Sequence, residues 1–137
     1  VPLLQRERCV CCGSKESLTR HHVVPTCFRK HFPEPYRTQY NEIVVVCDSC
    51  HTAYEKKATR LQNRLVRKYT QSPAITAASY RRCVGAIRDY REFSVTWRQH
   101  FLDVMKPQFM PENWSARLPV IEAPTESKNP MKTSHPC

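Results

Sequence analysis

A chain of 137 residues is enough for one ordinary domain, and no stretch approaches the ~18 apolar residues that a membrane span needs. The formal charge is +10, from 22 Lys and Arg against 12 Asp and Glu, which favours an acidic polymer or surface as partner, nucleic acid first. Eight cysteines could form a secreted disulfide framework, but the start VPLLQRERC lacks the charged region and long apolar core of a signal peptide, so a reduced, intracellular setting with a metal site is the simpler expectation. The first residue is Val1 rather than Met, which suggests a piece of a longer protein.

The chain opens with Cys9-x-x-Cys12, followed by the turn signal Cys12-Gly13-Ser14. Ser17 to Val24 reads as a short strand ending at Pro25, and it carries the pair His21-His22. Residues 26 to 41 form a long connection with Pro33 and Pro35. Arg29, Lys30 and Arg37 line it, interleaved with Phe28, His31, Phe32 and Tyr36. Cations there would meet phosphates, and exposed aromatics could stack on bases; the competing reading is a loop docked by its apolar side chains. Ile43 to Val46 is a β-branched run that predicts a second strand. Cys47-x-x-Cys50 follows, then His51, with Asp48 or Ser49 as the expected cap of a helix.

That helix is predicted to continue toward Tyr69. Ala58, Leu61, Leu65 and Tyr69 recur at helical spacing, while Lys56, Lys57, Arg60, Arg64, Arg67 and Lys68 supply a basic face. No acidic residue occurs between Glu55 and Asp89, so the charge is one-sided. Gln71-Ser72-Pro73 ends the helix. Thr76 could cap a further long helical segment, weakened at Gly85, with a break expected near Arg91 where the apolar stripe shifts. Residues 107 to 137 hold six prolines and are expected to be extended or disordered, with Phe109, Met110 and Trp114 docking locally.

Cys9, Cys12, Cys47 and Cys50 have the spacing of a four-thiolate tetrahedral site, because two intervening residues let a tight turn aim both sulfurs at one ion. Zinc is the expected metal, in a structural role, since four protein ligands leave no position for water. Cys11 could replace Cys12 in register, but the C-x-x-C spacing uses Cys9. Between the cysteine pairs, one imidazole of the His21-His22 pair could bind a second metal while its neighbour faces a water. His51 could reach back to the same ion, and Glu55 lies one turn along. Surface histidines or extra zinc ligands are the plainer alternatives.

CVCCG, HHVVP and EIVVVCDSCH in this order resemble the HNH endonuclease family and its ββα-metal fold, over roughly residues 9 to 56. The resemblance implies His21 as ligand of a catalytic divalent ion (Mg or Mn), His22 as general base and His51 as a second ligand; Glu55 fits as a third ligand by its spacing, which the motif does not require. The resemblance also implies products with a 5′-phosphate and a 3′-hydroxyl. The family's central Asn, which orients the base, would fall at Glu42, with Asn41 one residue early. CVCCGSKESLT, PTCFRKHFPEPYR and the long helical continuation also resemble the HNH-like region that follows the exonuclease domain in animal 3′-5′ exonuclease domain-containing proteins. That resemblance implies nucleic-acid processing in the nucleus or mitochondria. The expected fold is α+β: a zinc-stabilised ββα-metal core over residues 1–56, a basic helical extension over 57–106 and the Pro-rich tail over 107–137. The alternative function is a non-catalytic zinc module that binds DNA or RNA and targets an attached exonuclease; a protein-interaction module is a third.

Overall fold

The computed structural model describes residues 7–34, 36–38 and 43–118. The architecture is α+β. Strands β1 (Leu18–His22) and β2 (Ile43–Cys47) pair antiparallel, with Leu18 opposite Cys47 and His22 opposite Ile43. Helix α1 (Thr26–Arg29) and a 3-10 turn (Tyr36–Thr38) lie between the strands. Helices α2 (Asp48–Thr70), α3 (Ala77–Gly85) and α4 (Tyr90–Met105) follow.

Both faces of β2 are covered, as Val44, Val45 and Val46 are each buried. β1 takes one backbone edge. On the other edge, the Val10 N–H donates to the Val45 carbonyl at 2.9 Å, and the Phe109 N–H donates to the Val10 carbonyl at 2.9 Å. Three segments distant in sequence thus meet at a two-stranded sheet, and the outer edge of β2 is partly covered at Val45. Residues 107–118 contain no helix or strand, yet Trp114 and Ala116 are buried and Arg8 lies 4.2 Å over the Phe109 ring.

Helix α2 follows β2 without a linking loop. Its buried residues His51, Tyr54, Ala58, Leu61 and Leu65 recur every three or four positions and form one stripe. The cap residue is Cys47 in extended conformation, rather than Asp48 or Ser49, and no side chain caps the helix; Asp48 sits in the first turn, where its charge suits the helix dipole. Gln71 ends it in the left-handed conformation at φ 56°. The helix runs unbroken across residue 56, so the boundary expected there falls inside it.

The second helical segment is two helices. The break spans residues 86–89 rather than Arg91, because Asp89 caps α4 through the Glu92 N–H at 3.1 Å. β1 is shorter than the expected strand: Val23 and Val24 are buried but lie beyond its end. The connection after it is docked by aromatic packing. Phe28 is fully buried with ring centroids 5.4 Å from Tyr80 and 5.3 Å from Phe93, and Phe32 meets Tyr90 at 5.2 Å. These two aromatics are therefore core, and the expected stacking platform for bases is not formed by them. They lie on the apolar side of the turn that α1 makes, where burial of each ring is worth roughly 1.5–3 kcal/mol.

Candidate metal centre and histidine cluster

The ligand atoms of Cys9, Cys12, Cys47 and Cys50 all lie within 4.8 Å of one another. The Cys12 and Cys47 sulfurs are 3.7 Å apart. A tetrahedron with metal–sulfur bonds of about 2.3 Å has edges of about 3.8 Å, so the spacing fits a zinc-sized ion, and four thiols suit a soft or borderline metal. These cysteines could bind a metal such as zinc. The first knuckle is shaped by backbone bonds: Cys9 N–H to the Ser14 carbonyl at 2.8 Å and Gly13 N–H to the Cys9 carbonyl at 2.9 Å. Asp48 N–H reaches the Ser17 carbonyl at 3.1 Å and brings the second knuckle alongside.

Cys11 stays outside the cluster. Its N–H donates to the Cys9 sulfur at 3.3 Å, and burial together with the neighbouring Cys9 pushes its thiol up to about 12. Burial also opposes ionisation of Cys9, but the backbone groups of Cys12, Cys47 and Cys11 outweigh it and lower that thiol to about 7. Cys50 is pushed far up by burial and by the neighbouring thiols. Crowded thiols such as Cys50, whose ionisation their neighbours oppose, are what a bound cation would relieve.

Farther along the hairpin, His21 on β1 is paired with Val44 and faces the first turns of α2. Its ring centroid is 5.0 Å from His51 and 5.4 Å from Tyr54, edge-on to both, with Phe101 of α4 at 6.2 Å. His21 and His51 are 3% and 8% exposed, whereas His22, on the other side of the strand, is half-buried. His51 Nε2 lies 3.8 Å from the Glu55 carboxylate. The helix spacing of four residues accounts for that approach. Among the described residues, the four thiols are the one group of three or more metal-binding side chains whose ligand atoms converge within that range. Asn41 and Glu42 lie outside the described residues.

On α2 the side chains of Lys56, Lys57, Arg60, Arg64, Arg67 and Lys68 are exposed, opposite or flanking the buried stripe. Lys30 is exposed as well. Arg29 is turned inward on its own loop, donating to Thr26 Oγ1 at 3.1 Å and to the Arg37 carbonyl at 3.2 Å, and Arg37 pairs with Glu34 at 2.7 Å. Of the basic residues expected to meet nucleic acid, the exposed ones therefore lie mainly on α2.

No family model matches the chain, and no solved structure matches it. The chain is 30% identical to Protein RRP6-like 3 of Arabidopsis thaliana over 66 residues, covering 47% of this chain and 7% of that protein. It is 20% identical to Exonuclease 3'-5' domain-containing protein 2 of Homo sapiens, over 82% of this chain and 30% of that protein. Similarity to the Drosophila melanogaster protein of the same name is 21% over 82% of this chain and 32% of its length. The chain thus spans less than a third of the length of these curated relatives.

Two residues beside the histidine cluster escape sequence reasoning. Tyr54 is buried, and its hydroxyl lies 3.0 Å from His100 Nδ1 on α4. Burial raises the Tyr54 phenol well above its ordinary value, so it remains a hydrogen-bonding hydroxyl. Tyr54 had a sequence signal, three residues after His51 on the same stripe. His100 had none, because its partner is far along the chain.

Proposed function

We propose that this chain is a nuclease-related module: a zinc-stabilised, HNH-like endonuclease domain that hydrolyses phosphodiester bonds in DNA or RNA with a divalent ion, as part of a larger nucleic-acid-processing protein. Its distant similarity to exonuclease-domain proteins supports a nuclease-related function in general. The observation that carries the reading is the His21–His51 approach of 5.0 Å at the junction of hairpin and helix, where His51 directly follows the thiol Cys50 in sequence. The finer HNH assignment rests on motif resemblance and this juxtaposition.

In this reading Cys9, Cys12, Cys47 and Cys50 hold a structural zinc. His21 and His51, with Glu55, would hold the catalytic ion, Mg or Mn; imidazole donors suit Mn better than Mg. Such an ion supplies charge neutralisation at a phosphate. His22 would take the proton from the attacking water, a task for which a neutral imidazole near pH 7 is suited. Asn41 or Glu42 would orient it. Placement in the nucleus or mitochondria belongs to the same proposal.

The test is nicking of plasmid and single-stranded substrate by the purified chain with Mg or Mn. His22→Ala is expected to lower cleavage at least ~100-fold while zinc content and nucleic-acid affinity stay near parental. His21→Ala should weaken the catalytic ion's binding, with partial rescue by added Mn. Parental activity in both variants would defeat the proposal.

One observation favours a second reading. His21 and His51 are almost wholly buried and packed against Tyr54 and Phe101, as a structural pair would be. On that reading the chain is a non-catalytic zinc module that binds nucleic acid and targets an attached exonuclease. Binding without any cleavage in the same assay would select it.

A further inference from the structure

Between α2 and α4 lies a cleft of about 430 Å³, whose polar lining comes from Arg64 on α2, Gln99, His100 and Asp103 on α4, Glu92 near the start of α4, and Arg117 from the tail. Its charges are unevenly satisfied. Glu92 pairs with Arg117 at 2.5 Å, and the Asp103 carboxylate accepts from Gln99 Nε2 at 2.8 Å. Arg64 has no carboxylate partner among the described residues. His100 is drawn below its ordinary value, by burial first and then by the charges of Arg64 and Lys57, while Asp103 pulls the other way. Of the two guanidinium groups on the lining, Arg117 is engaged by Glu92 and Arg64 is the one left to a ligand.

We propose that this cleft is a phosphate subsite for a nucleic-acid strand, with Arg64 and His100 as its donors. This deepens the nuclease-related reading and rests on its nucleic-acid part. His100 Nδ1 is engaged by the Tyr54 hydroxyl at 3.0 Å, which leaves Nε2 as the ring's other hydrogen-bonding atom. When Tyr54 donates to Nδ1, the ring hydrogen sits on Nε2 and a phosphate oxygen can accept it. Arg64 adds a guanidinium fork suited to the same group. Glu92 is neutralised by Arg117, whereas Asp103, held by the neutral Gln99 amide, keeps its charge, which limits the cleft to one phosphate at Arg64 rather than a run of them. Tyr54 also packs edge-on to His21, with centroids 5.4 Å apart, so the subsite lies one tyrosine away from the histidine cluster. Lys57 and Arg60, exposed on the same helix, extend the positive surface along which a strand would run.

Two measurements on the full chain test this. Fluorescence anisotropy with a labelled single-stranded oligothymidylate, without divalent ion, compares Arg64→Ala with Arg60→Ala. Both residues are exposed on α2, so folding is not at issue. Arg64→Ala is expected to weaken binding about 5-fold or more and Arg60→Ala about 2-fold. Equal losses would overturn the proposal. In the second measurement, the His100 ring resonance, assigned by its loss in His100→Gln, is followed by NMR during titration with oligothymidylate and, at constant ionic strength, with inorganic phosphate. A shift with the oligonucleotide, whether or not phosphate also shifts it, supports the subsite. A shift with phosphate alone, or with neither, overturns it. Cleavage by the parent chain reads the function separately: a chain that cleaves but treats Arg64 and Arg60 alike loses only the subsite, and one that fails to cleave but shifts His100 loses only the catalytic reading.

Discussion

Gly13 adopts φ +84°, and a Cβ placed on it would meet the Phe109 ring at 2.8 Å. The residue thus answers two demands at once, a left-handed turn after Cys12 and the close seat of a tail aromatic. Gly13→Ala is expected to destabilise the chain by about 1–3 kcal/mol, seen as a lowered Tm, since neither strain nor overlap can be relieved without moving Phe109 or the knuckle. The cysteines carry a larger stake. A structural zinc held by the four thiols would contribute on the order of 10 kcal/mol, comparable with the whole net stability of about 5–15 kcal/mol for a domain. Cys47→Ser should therefore unfold the chain, as read by circular dichroism. Elemental analysis of parental protein purified without added metal should show one zinc per chain; a well-folded, metal-free chain would contradict the assignment.

Helix α2 serves two surfaces. One face carries His51, Tyr54, Ala58, Leu61 and Leu65 into the core, and the other carries Arg60, Arg64 and Arg67 into solvent. Replacing these three arginines with Ala should weaken nucleic-acid binding for every sequence tested. The slope of log affinity against log salt should flatten by roughly 0.7 to 0.9 per lost phosphate contact. Thermal stability should change little, because the buried stripe is untouched. An unchanged slope would assign the strand to another surface, with Lys30 on the loop the next candidate. Periodicity made this helix readable, since Tyr54, Ala58, Leu61, Leu65 and Tyr69 recur with a period near 3.6 over about four turns. The loop before β2 was not readable in the same way: Phe28 and Phe32 look identical as base-stacking or core residues until α3 and α4 are seen to cover them.

At the scale of the molecule, the hairpin does not stand alone. Tyr54 packs against Phe101 of α4 at 5.1 Å, and Phe28 packs against Trp97 of α4 at 5.9 Å, so the N-terminal half shares one core with the helices after it. Arg98, almost wholly buried, donates to the carbonyls of Ala116 at 3.2 Å and Leu118 at 2.5 Å and straps the tail onto α4. A peptide ending at residue 56 would lose more than half of α2 and every covering aromatic of α4. It is expected to show poor NMR dispersion even with zinc, whereas the whole chain with zinc gives a dispersed spectrum. A folded, zinc-bound 1–56 peptide would make the domain boundary at residue 56 real despite the continuous helix.

The sequence by itself determined the four cysteines, the two strands, the basic helix and the histidine pair, because ligand spacing, β-branched runs and helical periodicity are local signals. It could not determine which of three C-terminal neighbours would line the histidine cluster. Tyr54, His100 and Phe101 come together only when α4 folds back across α2, and no local pattern encodes a contact between residues 46 positions apart. The same holds for the edge of β2, where Val10 and Phe109 are joined by one hydrogen bond across most of the chain. Local chemistry selects the ligands, and long-range burial of the aromatics selects what surrounds them, since the free energy of removing apolar area from water depends on which surfaces meet and not on where they lie in sequence.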